Sequence, residues 1–193
     1  MSPIPTDEEC IRILKEEGCG RSIIKHCCMV HLVAIRIARC CGARMELVKA
    51  GALLHDIGRS RTQDIRHSAA GADVAKARGI PDEIVRIIRR HIGAGLTTEE
   101  ARSLGLPRGV YMPETIEEKI VTHADNLVGE TEVRTLEESV RDFEARGLSV
   151  AAERMRAMHA ELSSICGQDI DVVAREAESD KRVKGPCSAY TSH

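Results

Sequence analysis

Six histidines and aspartates lie on or beside apolar helical stripes, where polar side chains are costly. The clearest case is the pair His55-Asp56, which follows the apolar run of residues 47–54. A polar group carried into a packed interior costs several kcal/mol unless something pairs with it. For a single histidine, a hydrogen-bonded core residue is the simpler interpretation. Imidazoles and carboxylates that converge on one interior, however, are what a metal centre requires. The candidate ligands are His26, His55, Asp56, His67, His91 and Asp125.

The first of these ligands has a rival on the same predicted helix. At about 100° per residue, His26 and His31 both lie at the edges of that helix's apolar stripe, on opposite sides. Helical geometry therefore leaves both histidines open as the first ligand. Of the other histidines, His123 is expected to point elsewhere on its helix, and His159 and His193 are expected at the surface.

Helical periodicity runs through nearly the whole chain and predicts an all-α fold, a compact multi-helix bundle with a C-terminal helical extension. A capping box at residues 6–9 opens the first helix, and Gly42 ends the second. The helix over 45–57 is apolar nearly all round, which places it at the centre of the bundle. Further helices are predicted over residues 67–78, 81–91, 98–104, 113–128, 132–146, 149–166 and 169–178, with loops over 58–66 and 93–113.

These elements group into one domain with additions at each end. An N-terminal helix covers residues 1–20, the central domain residues 21–130, and C-terminal helices packed on the same domain residues 131–178. The polar tail, residues 179–193, is expected to be disordered. No internal repeat is found.

Two local features are expected to bring the candidate ligands together. For adjacent His55 and Asp56 both to reach the centre, their helix must loosen at its end, and Gly58 permits this. The connection over residues 79–81 is short enough to pack the next two helices antiparallel. His67 at the start of one helix and His91 at the end of the other then lie on the same side.

Composition excludes several classes of protein. The chain has 193 residues, a net charge of −2, a pI of about 6.5 and 2% aromatic residues. Neither a basic field for duplex nucleic acid nor a stacking platform for single strands is expected. No signal peptide or membrane-length apolar run is seen, so a cytoplasmic location is expected. The eight cysteines are then expected to be reduced core residues and solvent-edge thiols, without zinc-site spacing.

The motif "ALLHDIG" at residues 52–58, with His26 before it and "ADNL" at 124–127 after it, resembles the HD-domain superfamily of metal-dependent phosphohydrolases. The resemblance covers about residues 20–130. In that family the first histidine precedes the His-Asp pair by nearly thirty residues, which favours His26 over His31. It implies a metal held by His26, His55, Asp56 and Asp125.

His67 and His91 suggest the two-metal branches of this superfamily. "RHIGAG" at 90–95 followed by "PETIEEKIVTHADNL" at 113–127 resembles the layout of the symmetrical diadenosine tetraphosphate hydrolases. The cyclic dinucleotide phosphodiesterases (HD-GYP) are a second such branch, but their GYP signature is missing. The resemblance implies that Asp56 bridges two cations. His26, His55 and Asp125 would hold the first, and His67 and His91 the second. The donor set suits Mn²⁺, Fe²⁺, Co²⁺, Ni²⁺ or Zn²⁺ better than Mg²⁺ alone.

The function expected on this basis is hydrolysis of a phosphate ester, of a nucleotide or dinucleotide, by metal-activated water. Asp56 and Arg59 are the expected catalytic residues. Arg59 would contact phosphate, Arg61 and Arg66 follow in the same loop, and residues 93–98 would supply backbone amides or a lid. A di-iron oxygenase and a non-catalytic nucleotide-binding module stay open as alternatives, as does a homo-oligomer. No membrane or duplex nucleic-acid partner is expected.

Overall fold

The computed structural model describes residues 3–178 and 187–191, and within these the chain forms eleven α-helices and one 3-10 turn. Those residues contain no β-strand, only isolated bridges at Leu96–Tyr111 and Val128–Val133. The all-α prediction is confirmed. The helices are α1 Asp7–Glu16, α2 Arg21–Cys41, α3 Met45–Leu54, α4 His67–Ala77, α5 Asp82–Arg90, α6 Thr98–Ser103, α7 Ile116–Asn126, α8 Leu136–Ala145, α9 Ser149–Cys166, α10 Ile170–Glu176 and α11 Ser188–Thr191, and the 3-10 turn is Ile57–Ser60.

Threonine capping boxes define the start of four helices. The predicted box at Thr6 is present, with its hydroxyl accepting from the Glu9 amide and the Glu9 carboxylate accepting from the Thr6 amide. The same reciprocal pair opens α6, α7 and α8 at Thr97, Thr115 and Thr135. Each box satisfies amides that a helix start would leave unpaired.

Helix α2 is the central element, packed against α3, α7, α9, α10 and α11. The predicted central helix, α3, is buried nearly all round. Within the described part of the chain, no helix combines the length and apolar character needed to cross a membrane.

Several predicted boundaries were wrong by a few residues. The helix predicted over 45–57 ends at Leu54, and the 3-10 turn begins at the last residue of that prediction and continues into the predicted loop. The helices predicted from residues 113 and 132 begin at Ile116 and Leu136, where the capping threonines place them.

The expectation for the cysteines also needs correction. Cys28 is bonded to Cys187 and Cys40 to Cys166, so four of the eight cysteines are not free thiols. Cys187 precedes α11, so within the predicted tail residues 188–191 form a helix that packs on α2. Residues 179–186 and 192–193, including His193, lie outside the described residues.

Candidate metal centre

The His-Asp pair lies at a break between two kinds of helix. His55 keeps α-helical angles (φ −53°, ψ −39°), whereas Asp56 has φ −97° and ψ 13° and begins the 3-10 turn. This change lets two adjacent side chains reach the same interior. The role of Gly58 differs from the one expected. A Cβ there would lie 1.9 Å from the His67 carbonyl oxygen, so glycine is needed for the close approach of α4.

Backbone carbonyls orient each candidate histidine in the same way. The Nδ1 atoms of His55, His67 and His91 lie 2.7 Å from the carbonyl oxygens of Ala52, Asp64 and Ile88. Nδ1 of His26 lies 2.9 Å from the Gly129 carbonyl oxygen. A carbonyl only accepts, so each Nδ1 donates, and in the neutral form of each ring the Nε2 lone pair points inward. Such carbonyl contacts are typical of histidines that bind a metal through Nε2.

The inward atoms meet two carboxylates. Asp125 Oδ1 lies 2.9 Å from His26 Nε2 and 3.4 Å from His55 Nε2. Asp56 Oδ1 lies 3.1 Å from His67 Nε2 and 3.6 Å from His91 Nε2. The structure therefore brings all six predicted candidates together, with Asp56 between His55 and the His67–His91 pair.

The donor chemistry of this cluster fits a divalent cation. The Nε2 atoms of His67 and His91 face each other at 3.1 Å, and both are acceptors when Nδ1 carries the proton. Buried His55 Nε2 and Asp56 Oδ1 have no hydrogen-bond partner. Acceptor atoms that face one another in a buried space need a cation between them. The subsets His26–His55–Asp125 and His55–Asp56–His91 each have ligand atoms within 4.8 Å of one another.

The electrostatics of the cluster also favour positive charge. Burial opposes charge on His55, but the Asp56 and Asp125 carboxylates raise its pKa to about 9. Burial would likewise raise the pKa of Asp56, yet the imidazoles of His55, His67 and His91 hold it well below its ordinary value. Burial lowers the pKa of His91, which keeps that ring neutral and able to bind a metal.

Arg59 is the arginine of the predicted loop that reaches the cluster. Its Nε donates to Asp56 Oδ2 at 2.6 Å, and its side chain is 32% exposed. Arg61 pairs with Glu17 and Arg66 with Asp64, so these two arginines are engaged elsewhere.

The other histidines fall outside the cluster. His31 is buried beside Asp7, with Nε2 3.3 Å from the Asp7 carboxylate. His123 faces His159, with their ring nitrogens 3.0 Å apart. His159 is only 7% exposed, so the expectation of a surface position was wrong. His159 is buried because it contacts His123 of α7 and Asp169, and the sequence of α9 alone does not indicate these contacts.

A cleft of about 550 Å³ opens beside the cluster. His67, His91 and Asp125 line its inner end, together with Arg59. Arg134, Phe143 and Arg146, hereafter the outer wall, also line the cleft. Sequence reasoning missed the outer wall. The signals available were the single phenylalanine of the chain and an arginine three residues after it, on one helical face.

Arg90, beside His91, is a second residue that sequence reasoning missed. Its guanidinium is buried and lies 2.9 Å from Glu118 Oε2 and 2.8 Å from Glu114 Oε2. This contact joins the end of α5 to the start of α7. Two helices that carry candidate ligands, His91 and Asp125, are thereby fixed relative to each other.

Comparison with known proteins identifies related sequences. The family model for the HD domain matches residues 23–129. A tRNA (cytidine(56)-2'-O)-methyltransferase of Picrophilus torridus is 50% identical over 173 residues, which is 90% of this chain and 51% of the relative. The chain thus spans about half the length of that relative. Because the match covers 90% of the chain, it includes most of the HD domain region.

Two more distant matches concern phosphodiester chemistry. Ribonuclease Y of Cutibacterium acnes is 32% identical over 75 residues, 37% of this chain and 14% of the relative. The crystal structure of the L. monocytogenes phosphodiesterase PgpH HD domain in complex with cyclic-di-AMP has 20% identity. It matches with a TM-score of 0.52 over 80% of this chain and 96% of that one. At this identity the structural match establishes the fold.

Proposed function

The chain belongs to the HD domain family, and from this premise we propose that it is a phosphohydrolase that cleaves a nucleotide phosphate ester with divalent cations and water. The observation that carries the proposal is the cluster of inward-facing Nε2 atoms and carboxylates. Within it, His55 Nε2 and Asp56 Oδ1 have no hydrogen-bond partner. Ribonuclease Y, which shares part of this sequence, is named for cleaving RNA. That relationship supports a nucleotide phosphodiester as the bond attacked.

His26, His55 and Asp125 would hold one cation, His67 and His91 a second, and Asp56 would be shared between them. Divalent cations at these positions supply a Lewis acid for a phosphoryl oxygen and lower the pKa of water. The nitrogen-rich donor set favours Mn²⁺, Fe²⁺, Co²⁺, Ni²⁺ or Zn²⁺ over Mg²⁺.

The residues around the cluster would orient the substrate. Arg59 lines the cleft while its Nε donates to Asp56 and its Nη1 to the Gln63 carbonyl oxygen, which leaves Nη2 to bind phosphoryl oxygens. Asn126 donates to the Gly93 carbonyl oxygen at 2.7 Å and fixes the loop at the mouth of the cleft. In the hydrolysis, a water oxygen forms the new bond to phosphorus. The bond to the leaving oxygen breaks, and that oxygen takes up a proton.

Methyl transfer, the activity named for the Picrophilus torridus relative, is not favoured by this site. That reaction needs a bound methyl donor, whereas six acceptor groups that converge on one point favour cation binding. The half of the relative outside the match is the natural place for that activity.

The test is metal analysis combined with hydrolysis. Protein stripped of metal is reloaded with each cation in turn and assayed on bis(p-nitrophenyl) phosphate and on nucleotides. We expect Asp56→Ala to lose bound metal and to lower kcat/KM by more than ~100-fold, since losing even an outer-shell partner costs about 10–100-fold. Full activity of Asp56→Ala would overturn the proposal.

The matched pair His26→Gln and His31→Gln tests the choice of first ligand. His26→Gln should lose activity, whereas His31→Gln should keep it, because His31 faces Asp7 and not the cleft. An inactive His31→Gln beside an active His26→Gln would show the assignment to be wrong.

The number of cations is tested by the second histidine pair. Elemental analysis should give two metals per chain for the wild type and one for His67→Gln or His91→Gln. One metal in the wild type, unchanged in both variants, would restrict the proposal to a single-metal hydrolase.

A further inference from the structure

The residues that line the cleft are of two chemical kinds. One group comprises the candidate ligands His67, His91 and Asp125, and the other, the outer wall, has two arginines and an aromatic ring. The HD domain match stops at residue 129, so Arg134, Phe143 and Arg146 lie beyond it. The outer wall therefore lies outside the region that defines the family.

Arg134 is held in place by a tight turn that leads out of α7. The Gly129 amide donates to the Glu132 carbonyl oxygen, and the Arg134 amide donates to that of Leu127. The Arg134 guanidinium lies over Gly129, where a Cβ would come within 2.8 Å of its Nε. The Gly129 carbonyl also accepts from His26, so the turn that holds Arg134 is tied to a candidate ligand.

The donors of Arg134 are only partly used. One terminal nitrogen lies 2.6 Å from Asp142 Oδ2, and the Asp142 side chain is 61% exposed. A solvated ion pair of this kind contributes little energy, so a phosphate can replace or join the carboxylate at small cost. Guanidinium groups bind phosphate oxygens in a bidentate geometry.

Arg146 and Phe143 form the second part of the outer wall. The Arg146 guanidinium lies over the Phe143 ring, 4.7 Å from its centre, and its Nε donates to the Asp142 carbonyl oxygen. The edge of the ring contacts Gly93, where a Cβ would lie 3.3 Å away. An aromatic ring and a planar guanidinium side by side are typical of surfaces on which nucleobases stack.

Local charge points to the same kind of ligand. The chain as a whole has a net charge of −2, yet Arg59, Arg134 and Arg146 all line one cleft. With the inner carboxylates directed to cations, the remaining acid of the cleft is Asp142. Cationic groups in two parts of the lining, Arg59 beside Asp56 and the two arginines of the outer wall, suit a ligand with two phosphates.

We propose that the outer wall binds a second nucleotide unit of the substrate, with Arg134 and Arg146 on a phosphate that is not cleaved and Phe143 against a base. This inference rests on the proposed function and narrows it. The substrate is then at least two linked nucleotides, either a free dinucleotide or the end of an oligonucleotide.

The test compares a substrate that spans the cleft with one that does not. We expect Arg134→Ala and Arg146→Ala each to raise KM for the linear dinucleotide pApA by about ten-fold, the effect of losing a charged hydrogen bond. Hydrolysis of bis(p-nitrophenyl) phosphate, which has no second phosphate, should change by less than about two-fold. The matched control is Arg141→Ala, on α8 between the two arginines but outside the cleft lining, which should leave both substrates unaffected.

Several outcomes would overturn the proposal. Equal losses on both substrates, or an equal loss in Arg141→Ala, would mean that the arginines act only as a general positive field. An unchanged KM for pApA would remove them from substrate binding. A longer oligoadenylate distinguishes the two sources, because tighter binding than pApA indicates an oligonucleotide end and weaker binding a free dinucleotide.

Failure of the proposed function is recognised separately. If the metal-loaded wild type hydrolyses neither substrate, calorimetric binding of pApA to wild type and to the variants still tests the outer wall. A ten-fold weaker Kd in Arg134→Ala and Arg146→Ala would then support the binding site without the reaction.

Discussion

Two histidines of α2, His26 and His31, differ in the partners that the rest of the chain brings to them. His26 meets Asp125 from α7, whereas His31 meets Asp7 from α1. Asp7 is also 2.9 Å from the Lys49 ammonium of α3. His31 therefore belongs to a buried ion-pair group that fastens three helices, and its position on the apolar stripe has a structural cause.

This group predicts a dependence of stability on pH. Burial would raise the pKa of the Asp7 carboxyl, but His31 and Lys49 hold it below its ordinary value. Because the folded pKa lies below the unfolded one, Asp7 stabilises the fold above about pH 4, and this contribution is lost as pH falls through the folded pKa. In urea unfolding, Asp7→Asn should lower the free energy of unfolding by about 1–3 kcal/mol at pH 7, and the gap should close in acid.

The control for that measurement is Glu8→Gln, which removes the same charge from the same helical turn at an exposed position. It should change stability by less than about 0.5 kcal/mol. If Asp7→Asn loses the same free energy at pH 3 as at pH 7, the contribution of Asp7 is packing and not charge.

Arg59 and Arg61 provide a second contrast between residues in one loop. Arg59→Ala should lower kcat/KM by about 10–100-fold, because it removes a donor to the phosphate. The melting temperature should hardly change, since Asp56 keeps its three imidazole neighbours. Arg61→Ala should leave kinetics unchanged, because Arg61 pairs with Glu17. A lower melting temperature with normal kinetics in Arg59→Ala would make Arg59 a structural ion-pair partner.

At the scale of elements, the sequence predicted the helices, which depend on local periodicity. It did not predict the outer wall, which depends on contacts between helices. The helices were placed within a few residues, because capping boxes and apolar spacing are local signals. The meeting of His67 with His91 followed from a short connection and an antiparallel pair. The outer wall could not be predicted, because the exposed arginines that flank α8 look like solvated surface until α7 and α9 position that helix.

The close approach of the 3-10 turn to α4 leads to a prediction about Gly58. In Gly58→Ala, the added Cβ would overlap the His67 carbonyl oxygen and approach the Gly71 amide within 2.5 Å, both of them backbone atoms. We expect a loss of at least ~2 kcal/mol in urea unfolding. We also expect a loss of one bound metal, because α4 carries His67.

The control is Gly20→Ser, which adds a Cβ with nothing within 4 Å at a helix N-cap. It should be neutral or stabilising. Normal stability and metal content in Gly58→Ala would contradict the packing described.

For the whole molecule, two disulfides connect the C-terminal part of the chain to α2. Cys40–Cys166 joins α2 to the end of α9, and Cys28–Cys187 joins α2 to the segment that precedes α11. Such long-range links restrict the unfolded chain more than the folded one. The sequence pattern of adjacent cysteines did not reveal them, because each partner lies more than a hundred residues away.

Reduction should therefore destabilise the fold. Thiol titration of the denatured protein should find four free cysteines, namely Cys10, Cys19, Cys27 and Cys41, and eight after reduction. Cys166→Ser should cost about 2–5 kcal/mol of unfolding free energy. Cys41→Ser, at an adjacent free thiol, is the control and should cost less. Eight titratable thiols in the untreated protein would contradict the pairing.

The small core beneath the outer wall has a consequence for how this protein can diverge. Val140, Ala152, Met155 and Ala94 form a cluster separate from the main core, with Phe143 packed against it. Mutations that reshape α8 are therefore buffered from the helices that carry the candidate ligands. Under the proposed function, substrate preference can change across a lineage while the chemistry at the candidate metal centre stays fixed. For the same reason, residues 130–148 form a natural segment to graft between relatives when a new specificity is wanted.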